Sequence, residues 1–237
     1  MPSTRNPGRY AGLWYLLVSI PAVFALVYVP GQVIVRGNAT VTANNIVASE
    51  MLYRVGIGVQ LISQALFIFV AVALYDLLKG VNKRLALLMV TLIVVSIPIS
   101  FANELNAVAA LFLARGGGFL AAIDKPQRDA LAMLFVNVHG LGFDVAGVFW
   151  GLWLFPMGRL VYESRFIPRF LGVWLAVGGV AYLIMSLTGL ILPEYRGKLF
   201  TAFQPAFLSE VGLMLWLIVK GARPPTDTLL VVATSAP

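Results

Sequence analysis

Six stretches of this chain, about 10–29, 52–78, 85–113, 130–158, 169–192 and 204–220, are each apolar over about the ~20 residues that a helix needs to cross a bilayer. A chain of 237 residues with that many apolar runs folds as an all-α bundle of about six transmembrane helices. The composition agrees: 60% of residues are hydrophobic and 11% charged, and the mean hydropathy is +0.90. A soluble domain of this size has no room to hide so much apolar surface. We read one integral-membrane domain over 1–237, with residues 222–237 as a flexible C-terminal tail.

The formal net charge of +7 resembles a nucleic-acid signal, yet Lys and Arg sit at the ends of the apolar runs, where headgroups are met. Membrane lipids are therefore the expected partners, and nucleic acid is not. The chain has no cysteine, which excludes disulfides, thiolate metal sites and thiol nucleophiles, and a single histidine excludes multi-histidine metal centres. No metal and no cofactor is expected. The run that follows Arg5 and Arg9 ends in Tyr28-Val29-Pro30 without a small-x-small cleavage pattern, so it reads as a retained first span.

Six spans place both termini on one side, and the basic residues are divided ten to seven in favour of that side if it is cytoplasmic. The clusters KGVNKR (79–84) and SRFIPR (164–169) dominate that bias, and N-in, C-in is expected in a bacterial cytoplasmic membrane. Between the first two spans, PGQVIVRGNAT (30–40) reads as a loop, followed by a helix capped by Thr42 that runs into the second span. Pro98 should bend the third span, with nearby serines occupying the freed carbonyl. The triplet Gly116-Gly117-Gly118 reads as a helix stop; no Lys-Ser or Lys-Thr pair follows to make it a phosphate loop.

Polar residues inside the apolar runs carry the functional argument. In residues 132–162 a helical wheel puts Asn137, Gly140, Asp144, Gly147 and Gly151 on one small, polar face, with His139 about 160° away from Asn137. Gly140, Asp144, Gly147 and Gly151 are read as a helix-packing stripe. Ionised groups at membrane depth need a partner, a proton or water. Counted from the expected span ends, Arg54, Asn103, Glu104, Asn137, His139 and Glu210 fall at compatible heights in the outer half of four helices. Either they line one outward-facing pocket, or they are separate interhelical hydrogen bonds of little individual weight. Gln60 and Gln64 lie deeper, on one face of the second span.

Six segments in order carry a likeness to a known family: RYAGLWYLL (9–17), TANNIVASEMLYRVGI (42–57), YDLLKGVNKRLALL (75–88), VHGLGFDVAGVFWGL (138–152), IPRFLGVWLAVGGVAYLI (167–184) and PAFLSEVGLMLWLIVKG (205–221). The chain resembles a bacterial family of multi-pass integral-membrane proteins known as domain of unknown function four-three-eight-six. The resemblance implies a helical bundle and brings no catalytic residues with it. It covers segments containing Arg54, His139 and Glu210.

Three functions are consistent with these residues. The first is a protein that binds or passes a lipid headgroup or small amphipathic molecule in an outward-facing polar pocket. The second is an outer-leaflet membrane enzyme using a carboxylate and His139 as acid and base. The third is a structural or regulatory subunit without a ligand. No nucleophile motif supports the enzyme, and the small size and lack of inverted repeats weigh against a secondary transporter.

Overall fold

The structure, a computed structural model, describes residues 6–224. It is all-helical, and six helices are long and apolar enough to cross a membrane. The chain is a multi-pass membrane protein. The first span, Pro7–Val33, combines α1 (Pro7–Val23), a π-helical turn (Phe24–Tyr28) and α2 (Val29–Val33). Pro21 and Pro30 bracket that turn. Each proline denies the ladder one N–H, and the chain between them adopts the wider turn without leaving the helix. The expected loop after residue 30 therefore starts only at Ile34.

The short α3 (Ala39–Ala48) is capped by Asn38, whose side chain accepts from the Val41 N–H at 3.0 Å. Thr42, the expected cap, is instead buried, and its hydroxyl exchanges hydrogen bonds with both the N–H and the carbonyl of Val35. It fastens the preceding loop to α3. Nor does α3 run into the second span, because Ser49 leaves helical geometry at φ −113°, ψ 35° before α4 (Glu50–Leu78) begins.

α5 (Lys83–Arg115) is capped by Asn82 and contains Pro98. Its serines do not reach the carbonyl that Pro98 frees, that of Val94: Ser96 donates to Ile93 O at 2.7 Å and Ser100 to Ser96 O at 3.0 Å. α5 stops at Gly116, Gly117 and Gly118, all at positive φ, as a left-handed stop requires. The Arg128 guanidinium lies against Gly116 where a Cβ would be, 2.5 Å from its Cζ, and donates to Ile123 O. α6 (Lys125–Ser164) has 40 residues, a length of ~60 Å against a hydrocarbon core of ~30 Å. α7 (Arg169–Ile191) and α8 (Arg196–Val219) complete the bundle.

The spans form a closed ring. Each of α4 to α8 packs on its neighbour in sequence, and α1 packs on both α4 and α8. Asn6 closes the ring: its side-chain oxygen caps α1 and accepts from the Ala222 N–H at 3.0 Å, while Gly8 N–H donates to Ala222 O. Ala222, the start of the expected flexible tail, is buried; residues 225–237 of that tail lie outside the described residues. We call the end of the bundle where Asn6 meets Ala222 the terminal end and the opposite one the distal end. The apolar core has two parts. One fills the terminal half around Leu74, Met89, Met157 and Leu217, and the other lies under α3 around Ile46, Leu111 and Ala132.

Reciprocal glycine contacts set the approach of α6 to α7. A Cβ on Gly158 would stand 2.6 Å from Gly172 O, and one on Gly172 would stand 2.5 Å from Gly158 O. Seven residues along, Gly151 and Gly179 repeat the arrangement at 2.9 and 2.8 Å. A Cβ on Gly147 would stand 2.5 Å from Ser186 Oγ. Gly140, on the same stripe, has nothing within 4 Å of its Cβ position. The reason is length: Asp144 already sits beside Gly189, two residues before α7 ends at Ile191, so α6 passes Gly140 with no α7 opposite. Gly158→Ala should therefore destabilise the detergent-solubilised protein by about 1–3 kcal/mol, as overpacking does, while Gly140→Ala stays within about 0.5 kcal/mol. Thermal unfolding of the two variants beside the unaltered protein checks this.

Candidate functional site

Glu104, Asp144 and the part-buried Glu210 each have a different partner and occupy three levels; the buried Asp129 is paired within α6 with Lys125 at 2.7 Å. At the distal level, Glu104 of α5 meets His139 of α6, Oε1 to Nε2 at 3.0 Å. The carboxylate side chain is 5% exposed and the imidazole 22%, so the pair reaches the protein surface through the histidine. Asn103 donates to His139 O at 2.9 Å, and Asn106 donates to Asn103 Oδ1 at 3.2 Å. Gly142 makes room for this brace, since a Cβ there would stand 1.9 Å from Asn103 Oδ1. Phe143 packs edge-on against the imidazole at 4.8 Å. Tyr53 of α4 is buried in the distal core with Ala107 and Val136.

About five residues further into the bundle, Asp144 accepts from Arg196 at 3.0 Å. Arg196 opens α8, and its side chain, 43% exposed, reaches from the distal end to a carboxylate that is 8% exposed. The second oxygen, Oδ2, is buried with no hydrogen-bond partner among the described residues.

Glu210 belongs to the terminal half. α8 begins at Arg196 rather than near 204, so Glu210 lies nine residues before the helix end at Val219, and its expected outer depth is corrected accordingly. The Tyr15 hydroxyl of α1 donates to its Oε1. Trp153 of α6 packs beside Tyr15, their rings 6.4 Å apart, and Tyr182 of α7 is a further polar group near the carboxylate. Phe67 of α4 closes this group, 5.3 Å from the Trp153 ring and 6.1 Å from that of Tyr15.

The single pocket expected from Arg54, Asn103, Glu104, Asn137, His139 and Glu210 is therefore not assembled. Asn103, Glu104 and His139 come together; Glu210 does not join them. Arg54 pairs with Glu50 at 2.7 Å in an exposed ion triad with Arg115, and its neighbour Tyr53 takes the inward direction. Asn137 is exposed on another side of α6 from the imidazole. Tyr15, Tyr53, Trp153, Tyr182 and Arg196 are contributors that charge and polarity alone miss. For Tyr15 a signal existed, because Gly8, Ala11, Gly12, Tyr15 and Val18 recur at helical spacing and form the buried face of α1.

Between the distal and terminal levels lies a second polar set. Gln60 of α4 is 2% exposed, and neither its Oε1 nor its Nε2 has a partner among the described residues. Gln64 Oε1 and Trp150 Nε1 are in the same condition. Each such atom costs about 1–3 kcal/mol if nothing meets it. Among the described residues, no three of His, Asp and Glu gather in a way that holds a metal ion.

Residues 10–221 match the family described as a domain of unknown function, DUF4386. The chain belongs to the DUF4386 family. A protein of Archaeoglobus fulgidus named "Uncharacterized protein" is 29% identical over 154 residues, which cover 65% of this chain and 76% of that one. No solved structure matches. The DUF4386 match spans all three carboxylate levels, from Tyr15 to Glu210.

Removing one partner of a buried pair leaves a charge behind, at about 3–5 kcal/mol when burial is complete. For the half-exposed Arg196, Arg196→Gln should cost about 1–3 kcal/mol, and Asp144→Asn combined with Arg196→Gln should recover part of that loss. Arg54→Gln, in the exposed triad, should change stability by less than about 1 kcal/mol. Thermal unfolding of the four proteins distinguishes these cases.

Proposed function

We propose that this protein binds a small amphipathic molecule or a lipid headgroup at the distal end of the bundle, with Glu104 and His139 as the polar contacts. The observation that carries the reading is the Glu104–His139 pair itself. A carboxylate that is 5% exposed would be a poor docking group alone, but its partner imidazole, held through Nε2, is 22% exposed and leaves Nδ1 for a ligand. The open α6 face at Gly140, past the end of α7, gives a ligand room beside the pair. Asn106, half-buried, is a further hydrogen-bonding group next to it. The apolar chain of an amphipathic ligand would lie along the lipid-facing surface, where Leu105 and Leu141 are exposed.

The same reading places the protein in a cytoplasmic membrane with both termini inside, on the strength of the ten-to-seven distribution of Lys and Arg and the positive-inside rule. The distal site then faces outward.

Native mass spectrometry of the purified protein should show a bound lipid or small molecule that Glu104→Gln and His139→Ala each weaken. The loss of one charge-assisted hydrogen bond, about 1.5–3 kcal/mol, corresponds to roughly 10- to 100-fold in affinity. Thermal unfolding runs alongside. A species retained equally by all three proteins, or none in any, with both variants merely less stable, would leave the pair as interhelical glue and end the proposal.

A further inference from the structure

The unpartnered amides of α4 point to a second site, separate from any ligand at the distal pair. α4 presents Tyr53, Gln60, Gln64 and Phe67 at spacings of seven, four and three residues, which keeps them on one side of the helix. The two ends of this row are fixed by packing. Tyr53 is buried in the distal core with Ala107 and Val136, and Phe67 packs against Trp153 and against Tyr15, the donor to Glu210. Gln60 and Gln64 thus stand between the two carboxylates, inside the ring of spans, with three buried amide atoms that no described residue meets. On α6, Phe143 touches the His139 ring and lies 6.3 Å from Trp150, whose indole N–H is buried and also without a described partner.

Buried polar atoms in a hydrocarbon-surrounded bundle are met by protein or by water, and a water needs two to four polar partners. Here Gln60, Gln64 and Trp150 supply four such atoms in a row between two acids. We propose that they line a hydrated half-channel that enters at Glu104 and His139 and ends blindly at Glu210, where the carboxylate exchanges a proton with the water it meets. The terminal end is shut. Beyond Glu210 the interior is filled by Leu74, Leu77, Met157, Leu160 and Leu217, all fully buried and apolar. The titratable groups facing Glu210 are Tyr15 from α1 and Tyr182 from α7; α6 contributes the indole of Trp153 and α4 the ring of Phe67.

The natural absence of cysteine makes the test direct. Single-cysteine proteins Gln60→Cys, Gln64→Cys and Leu74→Cys are reconstituted in vesicles and exposed to silver ion, which follows water but does not cross lipid. Remaining free thiols are then counted by alkylation in denaturant. Silver from the distal side should block the first two at least tenfold faster than the third, and silver from the terminal side should not. Equal rates for all three, or faster blocking from the terminal side, would overturn the half-channel. If the variants do not fold, hydroxyl-radical footprinting of the unaltered protein decides. Oxidation of Tyr15 and Trp150 with Met157 spared supports the water file, and Tyr15 and Trp150 as unmodified as Met157 refutes it. Both readouts follow water and are made on protein freed of any ligand at Glu104 and His139, so the failure of one proposal is separable from that of the other.

Discussion

Lipid offers a buried polar atom nothing to bond, and the rest of this structure follows from how the chain meets that condition. Three of the acids in the spans are held by a group from another helix: an imidazole for Glu104, a guanidinium for Asp144 and a tyrosine hydroxyl for Glu210. These pairs couple α5 to α6, α6 to α8, and α8 to α1. Hydrophobic driving force between spans is weak where the solvent is itself hydrocarbon. The polar pairs therefore fix which helix meets which, and the glycine contacts of α6 with α7 fix how closely.

The unequal lengths of the spans turn that frame into a place for function. α7 ends beside Asp144, while α6 continues past His139 for another fourteen residues to its start at Lys125. Where both helices are present, small residues pack backbone on backbone. Where α7 is missing, the same stripe is bare at Gly140 and a histidine reaches the surface next to it. A site thus arises from the end of one helix rather than from a dedicated loop.

The membrane class and the six spans were legible because apolar length is a local property, written in consecutive residues. The ends were less so, since caps and short turns decide them. Asn38 rather than Thr42 starts α3, and a π-helical turn carries the first span through Pro30. One boundary had a large effect on the site. The sixth span reads as starting near residue 204, but α8 already runs from Arg196, which moves Glu210 into the other half of the bundle. The direction of a side chain around a helix was also beyond the sequence in places. Arg54 and Tyr53 differ by one position, and only packing shows that the tyrosine turns inward and the arginine outward. Glu104 and His139, by contrast, were placed at one height from residue counts alone, and they meet.

The bond between Asn6 and Ala222 makes the arrangement of helices cyclic as well as linear, because the first span packs on the last. Backbone connectivity is then only one of several ways to hold this ring in register. A chain cut in the short turn at residues 79–82 and rejoined by a linker from the C-terminus to the N-terminus would retain every interhelical contact described above, and so encode the same molecule in a permuted order.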